Sequence, residues 1–388
     1  MIYLIVLVFL FILIIRYDIR GHQLGYRFFW GITLISFILI SGLRYKIGSD
    51  TLVYLNEYSS FPSFLELFSF DFSGTRYNFL WIFFCSICKT ISPSYFFMQF
   101  VHALIINCII FRYLYKNVNY RYTSLFLYFI FGFIYFNTEI LRESMAVCAF
   151  LLSINSYYKK KWATYYLLAF IAFLFHSSAI FIFIFPFFSN VKLNRSFIQS
   201  IIVCAILIGV FGKFLYDLLF YISASEIKDG IRPYLMNNIF TYNKKGVILS
   251  VFTYALLPFI CIFFAKKYFR KPAKEAPFLW LYIILGVFVA FNNTIFTRLQ
   301  NYLFFPFIVS LSELFFELKE RNEHVFARKT RVFVLLILLV IGRYYNYLKP
   351  DVSPKTLIYQ RYYPYSSILT KETTEERNLL ENHRLKYK

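Results

Sequence analysis

The run Ile2-Tyr3-Leu4-Ile5-Val6-Leu7-Val8-Phe9-Leu10-Phe11-Ile12-Leu13-Ile14-Ile15 decides the fold class. It carries no charge, no basic residue precedes it and no small-residue cleavage site follows it. It therefore reads as a retained membrane span rather than a leader. Similar runs recur at approximately 26–43, 78–91, 94–111, 122–136, 140–157, 162–188, 197–222, 247–265, 277–291, 300–318 and 332–348. Several hold only about 15 apolar residues, against the about 20 that a spanning helix needs, so their ends are soft.

Composition agrees with that reading. Of 388 residues, 59% are hydrophobic and 16% charged, and the mean hydropathy is +0.58. Soluble chains run about 45–50% apolar and about 25% charged. A soluble enzyme, a disordered chain and a disulfide scaffold are excluded. The expected fold is all-α, a polytopic integral membrane protein with roughly 10–13 transmembrane or re-entrant helices. Residues 1–348 form the membrane domain, and 349–388 a short tail. All six cysteines lie inside or at the ends of apolar runs, and Cys85-x-x-Cys88 has no second pair or nearby histidine to complete a metal set. No metal and no cofactor are expected.

Lys and Arg number 41 against 20 Asp and Glu, a net charge of +21. The charge is scattered between apolar runs rather than gathered on one soluble face, so no nucleic-acid partner is expected. Basic clusters at 16–27, 112–121, 159–161, 192–195, 266–274 and 319–331 hold 21 of the 41. By the positive-inside rule these loops face the cytoplasm and anionic membrane lipids. Segment 44–77 has three basic residues against four acids, and 137–143 has one against two. Both, with 223–246, are expected outside. Parity then requires an odd number of crossings between 44–77 and 112–121, so 78–91 is read as interfacial or re-entrant. It also requires 162–188 to break near His176 and turn back. The tail then ends outside, with eight basic residues against five acids.

Ionisable groups near apolar runs are costly and therefore informative. Four clusters stand out. In Gly42-Leu43-Arg44-Tyr45-Lys46-Ile47-Gly48-Ser49-Asp50-Thr51, followed by Tyr54, Arg44 offers a planar fork for phosphate oxygens. Gly48 permits a tight turn, and Asp50 is placed to orient Arg44 or to take a hydroxyl proton. A snorkelling arginine beside an Asx-type turn explains the same residues blandly. Asn137-Thr138-Glu139-Ile140-Leu141-Arg142-Glu143 opens an apolar helix, with Glu139, Arg142 and Glu143 at spacings that share one helical surface. The helix dipole accounts for the acids but not for Arg142. His176 reads either as a packing histidine bonded to a carbonyl or as a base at a break on the outer side. The fourth cluster, Asn292-Asn293-Thr294 to Arg298, Asn301 and Tyr302, precedes a span from the same predicted side. Three arginines converging there suit a doubly charged phosphate group.

The ordered set Arg44-x3-Gly48-x-Asp50-x3-Tyr54, then Arg142-x3-Ala146, then Phe175-His176-Ser177 resembles the EpsG-type family, grouped with Wzy-like polymerases of exopolysaccharide, capsule and O-antigen. Tyr363-Pro364-Tyr365 resembles the tails of such polymerases. The likeness runs from about residue 1 to 348. It implies a metal-independent glycosyltransferase of the bacterial cytoplasmic (inner) membrane. Such an enzyme joins polyprenyl-pyrophosphate-linked oligosaccharide repeat units at the outer face, and a flippase and a chain-length regulator are the expected pathway partners. The family usually has Gln where this chain has Glu143, and often Asn where it has Glu139. Asp50, Glu139, Arg142, Glu143 and His176 become candidate catalytic residues. Arg44, Gly48, Tyr54, Asn137, Arg298 and Tyr302 become candidate substrate-binding residues. A flippase of lipid-linked oligosaccharide and a membrane acyltransferase using His176 are the competing readings.

Overall fold

The computed structural model describes residues 2–73, 75–188, 276–289, 293–317, 346–348 and 356–386, with isolated positions 203, 334, 337 and 341. The chain divides into two compact units, Met1–Ser177 with Lys319–Lys388, and Ser178–Leu318. The expected spans 197–222, 247–265 and most of 332–348, and the loop 223–246, lie outside the described residues.

The first unit is a bundle of helices. These are α1 (Ile2–Leu13, continued by a π-turn Ile14–Ile19), α2 (Tyr26–Gly42), the short α3 (Ser49–Glu57) and α4 (Phe79–Ile91). After these come α5 (Tyr95–Asn117), α6 (Arg121–Tyr128, extended by π-turns to Glu139), α7 (Leu141–Tyr158) and α8 (Trp162–Phe175). Ring contacts fix the directions. Tyr3 meets Phe129 at 6.5 Å, Phe11 meets Phe126 at 4.5 Å and Tyr17 meets Tyr122 at 5.1 Å, so α1 and α6 are antiparallel. Trp30 meets Tyr115 at 5.5 Å, whereas Gln99 donates to the Gly42 carbonyl at 2.8 Å, so α2 and α5 are antiparallel. His102 pairs with Ser144 at 3.1 Å and Cys148 with the Ile106 carbonyl at 3.9 Å, so α7 runs with α5.

Two ends of the bundle result. One holds the turns at 20–25, 118–120 and 159–161, and with them the basic clusters 16–27, 112–121 and 159–161. The single acid in those clusters, Asp18, caps the start of α6 by accepting from the Thr123 amide (2.7 Å) and hydroxyl (2.8 Å). The other end holds 43–50, 137–141 and the tail from 356. Ile2–Ile19 and Tyr95–Asn117 are each long and apolar enough to cross a membrane. Along α1 the side chains of Leu4, Ile5, Val8 and Ile12 are all more than half exposed, an outward apolar stripe of the kind that faces lipid or a partner.

Helix α4 differs from its neighbours. Thirteen residues at 1.5 Å each span about 20 Å, short of the about 30 Å hydrocarbon core. The segment just before it bonds along its whole length. Tyr54 packs on Trp81 at 5.4 Å, Tyr58 donates to the Cys85 carbonyl at 3.5 Å and Lys89 donates to the carbonyls of Ser59 and Phe61. The run 162–188 is interrupted where expected: α8 stops at Phe175, His176 is extended (φ −154°, ψ 129°), and a 3-10 helix begins at Ser177.

The second unit contains that 3-10 helix (Ser177–Ile184) from its second residue on, a helical turn Phe185–Phe188, α9 (Ala276–Val289) and α10 (Asn293–Glu317). Tyr282 of α9 stacks on Phe307 of α10 at 4.6 Å. Beyond it the tail adds α11 (Glu375–Lys386) to the first unit.

Candidate functional site

The site grows from a sharp turn at the end of α2. Leu43 and Arg44 pair with the tail: Ile368 donates to the Leu43 carbonyl and Tyr45 to the Ser366 carbonyl, both at 2.8 Å, with Arg44 opposite Ser367. Gly48 then sits at φ +94°, ψ 150°, where a side chain is strained. A Cβ there would also lie 2.7 Å from the Thr138 Cβ and 3.1 Å from Glu139 Oε1. Only glycine allows this approach.

What approaches is a cap. Glu139 Oε1 accepts from the Ser49 amide at 2.9 Å and the Tyr362 hydroxyl at 2.8 Å, and Oε2 accepts from the Asp50 amide at 3.1 Å. A carboxylate thus closes the free donors and positive dipole end of α3. Burial holds the Tyr362 phenol well above its usual pKa, so it remains a proton donor to Glu139.

Arg44 lies inside, 1% exposed. It donates to the Ser41 carbonyl and, at 3.4 Å, to Thr51 Oγ1, while its own carbonyl accepts from Gln99 at 2.8 Å. Burial lowers its pKa, and nearby tyrosines and Glu139 oppose that shift. The guanidinium thus points inward and pins the end of α2 to α3. Asn137 is also interior. It accepts from Asn107 at 3.0 Å and donates to the Tyr128 hydroxyl at 3.0 Å.

Arg142 faces differently. Half-buried at the start of α7, its Nε donates to the Tyr54 hydroxyl at 3.2 Å and its Nη1 to the Arg76 carbonyl at 3.4 Å, and its guanidinium lies 4.6 Å from the Tyr77 ring centre. The Arg76 guanidinium sits 5.2 Å from the same ring and pairs with Glu57 at 2.7 Å. Among the described residues Arg142 has no carboxylate partner within ion-pair distance. Asp50, half-buried, is one helical turn before Tyr54 on α3, so these groups share a face. Glu143 and His176 are buried, at 2% and 6% exposure.

Arg298 and Tyr302 stand on α10 in the second unit. Tyr302 is fully buried, its hydroxyl 2.9 Å from Ser178 Oγ. Sequence reasoning missed Arg76 and Tyr77, although Arg76 is one of only three basic residues in the acidic-leaning segment 44–77 and the same logic selects it. It also missed His102, whose Nε2 lies 2.9 Å from the Leu141 carbonyl at the chain reversal. Arg361, Tyr362 and Arg377 of the tail escaped it as well. Among the described residues, no three His, Cys, Asp or Glu side chains gather as a metal-binding group.

No curated protein and no solved structure matches this chain. The EpsG family model matches residues 27–367. The chain therefore belongs to the EpsG family, a membership that supports a Wzy-like polymerase role acting on lipid-linked oligosaccharide in the membrane.

Proposed function

We propose that this chain joins polyprenyl-pyrophosphate-linked oligosaccharide repeat units at the outer face of the bacterial cytoplasmic membrane. The observation that carries the reading is Arg142, a half-buried guanidinium held by Tyr54 and Tyr77 with no carboxylate within ion-pair distance among the described residues. A preorganised cation with spare donors suits the charge that builds on a leaving pyrophosphate. Arg76 across the Tyr77 ring adds a second cation. The bundle end bearing these residues is opposite the end bearing the basic clusters 16–27, 112–121 and 159–161, which supports an outward-facing site.

In the proposed reaction a sugar hydroxyl of one lipid-linked unit attacks the anomeric carbon of another. The new glycosidic C–O bond forms as the bond from that carbon to the pyrophosphate oxygen breaks. The lipid pyrophosphate leaves with the bonding electrons, and the hydroxyl proton passes to a base. Asp50 is the carboxylate best placed for this. Glu139 is occupied by three hydrogen bonds, and Glu143 and His176 are buried. Arg44 acts as a positioning residue beneath α3.

The test is reconstitution of the wild-type chain and Arg142→Gln with lipid-linked repeat units. The wild type should form a ladder of multimers and release lipid pyrophosphate, and Arg142→Gln should slow both about a hundredfold, as for loss of one transition-state donor. Equal ladders from the two proteins would overturn the role given to Arg142. Movement of unaltered substrate across the bilayer, with no ladder, would favour a flippase instead.

A further inference from the structure

The basic end of the first unit, opposite Arg142, carries a cleft of its own. It measures about 380 Å³ and lies between the turn 20–25, the starts of α2 and α6, and the last turn of α5. That size falls in the range of about 300–1,000 Å³ usual for small-ligand sites. Its frame is fixed from the backbone up. Gly25 turns the chain at φ +77°, the Tyr17 hydroxyl donates to the Leu24 carbonyl at 2.9 Å, and the Tyr122 hydroxyl donates to the Tyr26 carbonyl at 3.0 Å. The Arg121 guanidinium lies 4.0 Å from the Tyr115 ring centre and 5.6 Å from that of Tyr26. Stacking uses the face of a guanidinium and leaves the donors in its plane free. Arg121 Nε and the Tyr26 hydroxyl are buried with no hydrogen-bond partner among the described residues, a costly state unless an acceptor is supplied. Arg27 and Gln23, both exposed, line the same cleft. Asp18, the single acid in the basic clusters at this end, has its Oδ2 engaged by the Thr123 amide and hydroxyl.

Two apolar rows lead away from the cleft. On α2, Phe28, Ile35 and Leu39 are 66%, 57% and 43% exposed, and they fall within about 40° on one face. Phe28 itself lines the cleft. On α5, Leu104 and Cys108 are exposed, and Tyr115 in the cleft continues their face. Because α2 and α5 are antiparallel neighbours, both rows run from the cleft toward the other end of the bundle. We infer that the cleft holds the phosphate of an anionic glycerophospholipid, whose acyl chains lie along these rows. A free phosphate would use the cations and leave the rows unexplained. A choline headgroup would set a further cation beside Arg27 and Arg121, so a net-negative headgroup is selected. On the orientation that the basic clusters imply, the lipid belongs to the cytoplasmic leaflet, where basic pockets between helices hold such headgroups. The inference is independent of the polymerase reading.

Native mass spectrometry of the full-length protein in detergent provides the test, with phosphatidylglycerol or phosphatidylcholine of the same acyl chains titrated in. Wild type should hold one phosphatidylglycerol about tenfold or more tighter than phosphatidylcholine. Arg121→Gln should remove that preference, and Arg121→Lys should restore only part of it, because an ammonium lacks the stacked fork. Arg27→Gln, at an exposed position, should weaken phosphatidylglycerol about fivefold. Lys159→Gln, the same charge change at the exposed turn 159–161, should leave binding as in wild type. Equal losses in Lys159→Gln and Arg121→Gln would reveal attraction to net charge alone and overturn the inference. A wild type without headgroup preference would overturn it as well. Displacement of the bound phosphatidylglycerol by millimolar glycerol phosphate would assign the cleft to a soluble phosphate and contradict the lipid.

Discussion

At the scale of single residues, the carboxylate of Glu139 and the guanidinium of Arg142 stand three positions apart and do different work. Glu139 accepts three hydrogen bonds, and a charged acceptor contributes about 1.5–3 kcal/mol per bond. Glu139→Ala should therefore destabilise the protein by about 3 kcal/mol or more and lower its yield in membranes, as read by thermal unfolding in detergent. Arg142→Ala removes no such network and should leave the unfolding temperature within a few degrees of wild type. A large stability loss in Arg142→Ala would show its role to be structural. The sequence alone marked both residues, because ionisable groups beside apolar runs are expensive to keep. It could not separate them, since a cap and a candidate ligand-binding cation obey the same spacing. The same limit applied to Arg44, where only tertiary packing reveals that the side chain turns inward.

At the scale of elements, α3 is held from three directions: Glu139 at its start, α4 along its side and the tail at the Gly48 turn. Gly48→Ala combines a strained φ of +94° with a contact of 2.7 Å to the Thr138 Cβ. It should cost about 2 kcal/mol or more and abolish activity by displacing Asp50 and Tyr54. Gly42→Ala, which meets the flexible ring of Phe100 first, should be milder in the same unfolding assay. Helix α4 is bonded over its length by residues 54–61, so on the proposed outward orientation of the tail-bearing end both its ends lie outside. Ser94→Cys should accordingly react with a membrane-impermeant maleimide added to intact spheroplasts. Labelling only after the membrane is opened would make α4 a true span. Parity had singled out 78–91 as the odd element. Nothing in the periodicity of the tail announced that it folds back on residues 43–49, because its contacts are a short backbone pairing and scattered polar groups spread over more than 300 positions of separation.

At the scale of the molecule, sorting charge by loop anticipated the geometry of the first unit: three basic clusters share one end, and the candidate site and the tail share the other. Helix existence was also readable, since 26–43, 140–157 and 277–291 fall within two residues of α2, α7 and α9. The ends of α5 and α10 were not, because polar residues such as Arg112 and Asn293 continue a helix without continuing its apolar run. A periplasm-active reporter fused after residue 60 or after residue 178 should be active in both cases. Cytoplasmic activity of both would sink the outward-facing site and restore the acyltransferase reading.

The most direct measurement follows lipid-linked intermediates in cells carrying Arg142→Ala in place of the wild-type chain. Those cells should contain normal amounts of membrane-inserted protein, lose long polymer and accumulate single lipid-linked repeat units. Polymer of normal length and amount, with no such accumulation, would contradict the role proposed for Arg142.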